Sequence, residues 1–234
     1  MHHFRAPDAR RFISASLMIG IAFVIFGASF GVLSVSAGAS VAQSCAMSLL
    51  VFTGASQMSA VSVLASGGTV ASAFGGAVLL SGRNAVYGLA MSPVLKQGSL
   101  ASRLLGAQWV IDETTAVVSA ETDPATRRTA FWISGAILYA SWNIGTLLGA
   151  LVGSSINPSD FGLDAAFPVM FTAMIAPHLR TSAGRKAALF GAVAAVALAP
   201  FMPIGLPILV SALGMLFGIK PTSSDSVVKT DGAP

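Results

Sequence analysis

The sequence predicts an all-α fold, a polytopic transmembrane helical bundle of about seven or eight membrane elements. Three observations predict it. Hydrophobic residues make up 54% of the 234 residues and charged residues 9%, whereas a soluble domain carries about 25% charged residues. No Asp, Glu, Lys or Arg occurs in residues 12–82, 129–159 or 187–219, and one spanning helix needs only about 20 apolar residues. Mean hydropathy is +0.79, and the apolar runs lack the period-two alternation of a barrel strand. In hydrocarbon each backbone polar group needs an internal partner, which leaves helices as the spanning structures.

Taken in order, the apolar runs place spans at about 13–35, 41–65, 72–95, 104–120, 130–153 and 163–179. The first follows Arg5, Arg10 and Arg11 and is longer than the apolar region of a signal peptide, roughly 7–15 residues, so it reads as an uncleaved span. The last run, 187–219, is too long for one helix. Pro200, Pro203 and Pro207 divide it into pieces at about 187–199 and 206–218. The third span contains Ser81-Gly82-Arg83-Asn84, where glycine and polar neighbours predict a break or kink. The chain then divides into a cytoplasmic segment, 1–12, a membrane domain, 13–219, and a polar tail, 220–234, of disordered composition.

Lys/Arg bias sets the expected orientation. With the N-terminus inside, the inner segments carry Arg5, Arg10, Arg11, Arg127, Arg128, Arg180, Arg185 and Lys186, and the outer loops carry only Lys96 and Arg103. The net charge of +4 therefore belongs to short loops and gives no sign of a nucleic-acid partner. Membrane lipid is the expected surrounding. An internal repeat is a further expectation. Gly27-x-x-x-Gly31 and Gly145-x-x-x-Gly149 stand 118 residues apart, and Val51-Phe52-Thr53 and Met170-Phe171-Thr172 stand 119 apart. Interrupted helices in two matching halves point to a binding site.

Charges inside membrane segments cost about 2.5–3.5 kcal/mol each on insertion scales, so each needs a reason. Arg83 lies well inside the third span. It reads either as a fixed cation facing a carboxylate, which a guanidinium grips bidentately, or as one partner of an ion pair between spans. Asp112 and Glu113 are adjacent on the fourth span, and helix neighbours point about 100° apart. One can pair with Arg83 while the other faces an aqueous path, as proton coupling requires. Asp164 opens the sixth span, either favoured there by the helix dipole or in contact with substrate. Gln57 and Ser56 sit in a small-residue stretch, where they either bond between helices or open the helix to a ligand. Asn84 follows Arg83 in the polar segment.

An enzyme is not expected. His2, His3 and His178 are dispersed and Cys45 stands alone, so neither a metal site nor a disulfide framework is indicated. A phosphate-binding loop and a nucleophile-base pattern are also missing from the sequence. No cofactor is called for.

The strings Phe26-Gly27-Ala28-Ser29-Phe30-Gly31, Val51-Phe52-Thr53-Gly54-Ala55-Ser56-Gln57, Arg83 to Tyr87-Gly88, Asp112-Glu113-Thr114 and Gly162-Leu163-Asp164-Ala165-Ala166-Phe167-Pro168 carry a resemblance. In their order and spacing, over about residues 15–218, the chain resembles the AzlC family of branched-chain amino acid exporter subunits. The family commonly reads Asn-Leu-Arg-His where this chain reads Ser81-Gly82-Arg83-Asn84. The resemblance implies a secondary exporter in the cell inner membrane, driven by a proton or membrane-potential gradient. It implies substrates of the valine, leucine, isoleucine and methionine class and a separate small hydrophobic subunit of the AzlD type. On that reading Arg83, Asn84, Gln57, Ser56 and Asp164 meet the substrate, and Asp112 and Glu113 couple protons. A channel-like or scaffold subunit without coupled transport is the alternative.

Overall fold

The computed structural model describes residues 6–96, 98–155, 169, 172, 175–202, 204 and 206–218. These are helical, with no strand among the described residues, and they fall into two compact units, Met1–Phe171 and Thr172–Pro234.

The first unit holds α1 (Ala6–Ser36), α2 (Val41–Leu50), α3 (Ala55–Ala65), α4 (Val70–Leu95), α5 (Leu100–Gln108), α6 (Asp112–Ser119) and α7 (Pro124–Gly153). Side-chain caps fix where several begin, because the first backbone N–H groups of a helix lack internal partners. Ser40 Oγ accepts from Gln43 N at 3.2 Å, Thr69 Oγ1 from Ser72 N at 3.1 Å, and Asp123 Oδ2 from Thr126 N at 2.8 Å. Pro124 follows Asp123 at the first helical position, where its missing N–H costs nothing. Ala9–Ser36 and Pro124–Gly153 are long and apolar enough to cross a membrane.

α1 and α7 form the spine, and glycine lets their backbones touch. A Cβ on Gly27 would run into Trp142 O, one on Gly31 into Thr146 O, one on Gly145 into Val24 O and one on Gly149 into Ala28 O. The helices run parallel, since Gly20 faces Ser141 and Gly153 faces Val32. An offset of 118 residues carries Gly27 onto Gly145 and Val24 onto Trp142. The contact is thus self-complementary, with its two-fold axis parallel to the helices. The two spaced glycine pairs of the sequence, read there as a repeat and as a sign of close packing, meet each other's helices across this contact.

α1 and α7 begin at the same end of the unit, called proximal here. Arg11 Nη2 donates to Glu121 Oε1 at 2.9 Å, and Phe12 packs with Ala130 and Phe131. The C-terminal end of α4 is also proximal, because Met91 and Val94 join that same cluster. α4 is therefore antiparallel to the spine and starts at the distal end.

This placement corrects two expectations. Residues 41–65 and 104–120 do not form straight spans; each folds into a V-shaped hairpin. α2 leaves the distal end, where Ser44 Oγ donates to Ser34 Oγ at 2.8 Å, and descends until Phe52 meets Phe23 and Tyr139 halfway along the spine. α3 then returns distally beside α4, with Ala60 and Val63 on Ala73 and Ser56 Oγ 2.8 Å from Ser81 Oγ. α5 and α6 mirror this from the other end. Gly106 faces Leu95 and Phe131, Trp109 reaches Tyr139 at mid-depth, and α6 descends until Val118 joins the Phe12 cluster. The second correction is α4, which runs unbroken through residues 81–84. A single glycine costs a helix only about 1 kcal/mol, and the polar side chains beside it find partners on other elements.

In the second unit a 3-10 turn, His178–Arg180, leads into α8 (Ser182–Leu198), and α9 (Leu206–Ser211) continues as a 3-10 helix, Ala212–Gly218. Gly214 faces Ala187 and Gly191 faces Ser211, so the second segment folds back along the first. The break lies where Pro200 and Pro207 place it. The expected span at 163–179 lies largely outside the described residues, and Asp164, Met170-Phe171 and the tail 220–234 lie outside them altogether.

Candidate functional site

The two hairpin tips, Val51–Gly54 and Trp109–Ile111, are the only non-helical backbone at mid-depth among the described residues of the first unit. Such backbone is tolerated in a membrane protein only where protein or a cavity satisfies it. At the first tip Gly54 adopts φ +56°, a region that disfavours any side chain. Gln57, fully buried, splints the bend. Its Oε1 accepts from Gly54 N at 3.2 Å and its Nε2 donates to Met47 O at 3.1 Å. Thr114 holds the same place on the second tip, three residues into the turn. Its Oγ1 accepts from Ile111 N at 3.1 Å and lies 2.8 Å from Trp109 O as donor.

The tips are tied to one another and to the spine through one carbonyl. Leu49 O, at the end of α2, accepts from Gln108 Nε2 at 3.1 Å and from Tyr139 Oη at 2.8 Å. Thr53 Oγ1 and Trp109 Nε1, one on each tip, are buried without a hydrogen-bond partner. An unmet buried polar group costs about 1–3 kcal/mol, so the junction is less fully satisfied than the helices around it.

Between the tips and α4 lies a cavity of about 340 Å³, lined by Leu50, Val51, Phe52 and Thr53, by Asn84, Gly88 and Leu95, and by Ala107, Gln108 and Val110. Small-molecule sites run from roughly 300 to 1,000 Å³, mostly apolar with a few placed polar groups. Beside the cavity Arg83 Nη1 meets Asp112 Oδ2 at 3.3 Å, with side chains 29% and 36% exposed. The pair is a single bond rather than a bidentate clamp.

The sequence-predicted residues thus separate by place. Asn84 lines the cavity. Arg83 and Asp112, neighbours in sequence of the lining residues Asn84 and Val110, form an ion pair with each other and do not line the cavity themselves, and Glu113 follows in the first turn of α6, half-buried. Ser56 is hydrogen-bonded to Ser81, and the side chain of Gln57 is committed to the bend. Asp164 lies outside the described residues. Thr53, Gln108 and Tyr139 were not singled out from sequence. Gln108 carried a usable signal as an amide inside an apolar run, and Tyr139 as one of two tyrosines in the chain.

The model of the family described as AzlC protein matches residues 18–156, from within α1 to just past α7, and so includes both hairpins and the residues that line the cavity. The Escherichia coli K12 inner membrane protein YgaZ is 29% identical over 206 residues, 82% of this chain and 84% of that protein. An uncharacterized membrane protein of Helicobacter pylori 26695 is 26% identical over 210 residues, 86% of this chain and 90% of that one. No solved structure matches. A membrane location follows for this chain, and with a family match that takes in most of α1, both hairpins, α4 and α7, the chain belongs to the AzlC protein family.

Proposed function

We propose that this chain is the transporting subunit of a secondary exporter for branched-chain or similar apolar amino acids. It acts as a carrier and not as an enzyme, and as a multi-pass protein of the cell inner membrane with its N-terminus in the cytoplasm. The proton motive force drives it, and a small hydrophobic AzlD-type subunit completes it. The observation that carries the reading is the cavity at the meeting of two hairpins that reach in from opposite ends. An amino acid presents a carboxylate, an ammonium and a side chain. The cavity offers Thr53, Asn84 and Gln108 to the polar groups and Leu50, Val51, Phe52 and Val110 to the side chain.

Coupling follows from competition for one carboxylate. Asp112 holds Arg83, whose fork matches the substrate carboxylate. Glu113, beside Asp112 in the first turn of α6, takes either the substrate ammonium or a proton. A proton entering from outside displaces the ammonium, and the carboxylate freed of that proton on the inside takes the next substrate. Proton and substrate thereby alternate at Glu113, and the exchange is an antiport.

Counterflow of labelled valine, leucine, isoleucine and methionine into proteoliposomes tests the reading, with the chain alone and with the small subunit. Saturable counterflow that responds to an imposed proton gradient is expected. No saturable uptake of any of the four, with the small subunit present, rejects it.

A further inference from the structure

We infer that Gly88 sets the length of the apolar side chain that the cavity accepts; this deepens the transport reading and rests on it. Asn84, Gly88 and Leu95 all line the cavity. Their spacings of four and seven residues place them along one face of α4, spanning about 16 Å from Asn84 to Leu95 at 1.5 Å per residue. Asn84 lies next to the Arg83–Asp112 pair, at the polar end. An amino acid anchored there lays its side chain along α4, over residue 88.

Among the described residues, nothing occupies the space around a Cβ at residue 88. A Cβ built on Gly88 finds no atom within 4 Å. The spine glycines are the contrast, since a Cβ on Gly27, Gly31, Gly145 or Gly149 would run into backbone. A glycine inside a helix costs about 1 kcal/mol relative to alanine. Close packing accounts for that cost in the spine. At residue 88 the missing side chain borders open volume, so the glycine contributes room in the cavity and no contact.

Side chains added at 88 therefore shorten the cavity without disturbing its walls. The test is counterflow of alanine, valine and leucine by the full chain with its small subunit, in wild type, Gly88→Ala, Gly88→Val and Gly88→Leu. Gly82→Leu serves as control, because a Cβ on Gly82 also meets nothing within 4 Å and Gly82 does not line the cavity. A methylene in an apolar pocket discriminates roughly 10- to 200-fold. The leucine-to-alanine ratio should fall about tenfold or more with each enlargement at 88, with melting temperatures no lower than wild type for Gly88→Ala. A ratio indifferent to residue 88, or an equal fall in Gly82→Leu, overturns the inference and leaves the transport reading standing. A wild-type protein that carries none of the three amino acids sinks both.

Discussion

Arg83 and Asp112 can be separated by mutation because each makes one bond to the other, at 3.3 Å, and neither is fully enclosed. An exposed pair contributes about 0–1 kcal/mol, and breaking a buried one costs about 3–5 kcal/mol. This pair belongs between those limits. Arg83→Gln and Asp112→Asn singly should each lower thermal stability, and the double variant should recover most of the loss. Transport should not recover in the double variant, because the substrate carboxylate then has no cation. A double variant that transports like wild type would reduce Arg83 to a neutralising partner. The pairing was legible in the sequence, since long runs without charge leave few candidates. For Gln57 the sequence offered a hydrogen bond between helices, which its bond to Met47 O of α2 is, but not the identity of its partners, Met47 O and Gly54 N, which face it only once the chain has bent. Gly54 gives a second residue-scale prediction. At φ +56°, Gly54→Ala should destabilise by about 1–3 kcal/mol, read as a lower melting temperature in detergent.

Helix by helix, the glycines divide into those that hold elements together and those that do not. Lipid tails give helices no hydrophobic reason to associate, so close backbone packing through small residues has to do it. Gly149→Ala would drive a methyl onto Ala28 O, and α1 and α7 must part to admit it. Gly82→Ala meets nothing and gains helix propensity. The first should lower the melting temperature and the second hold or raise it; equal effects would remove the spine from its place as the organising contact. The spine was readable as spaced glycines. The hairpins were read less well. Val51–Gly54 offers a glycine as a sign of a bend, but Trp109-Val110-Ile111 contains neither glycine nor proline. Its only sign is Asp112-Glu113 in the following first turn, where the helix dipole favours acids. In a charge-poor run that sign competes with the reading of two functional acids inside one span, and it can serve as both.

Folding residues 41–65 and 100–119 into hairpins changes where every loop of the first unit lies. As straight spans, they would put Lys96 and Arg103 on the opposite side from Arg10, Arg11, Arg127 and Arg128. As hairpins, they leave α4 as the only crossing between α1 and α7. Lys96 and Arg103 then join the other basic residues at the proximal end, where Pro93 and Val94 line one small cavity with Pro124, Arg127 and Arg128. The loops at the distal end, 37–40 and 66–69, carry no Lys or Arg. On the proposed orientation, with the N-terminus inside, the exceptions to the positive-inside rule disappear. Labelling decides between the two topologies. In a Cys45→Ala background, single cysteines at Gly38 and Gly67 should both react with an impermeant maleimide from the periplasmic side. Cysteines at Ser99 and Ala120 should react only when the cytoplasmic face is open, as in inverted vesicles. Straight spans require Gly38 and Gly67 to label from opposite sides, and likewise Ser99 and Ala120. Either split would refute the paired hairpins, and with them the cavity between their tips. Labelling of each pair from one side would leave α1, α4 and α7 as the crossings of this unit, with one hairpin reaching in from each end to place its non-helical tip against the cavity.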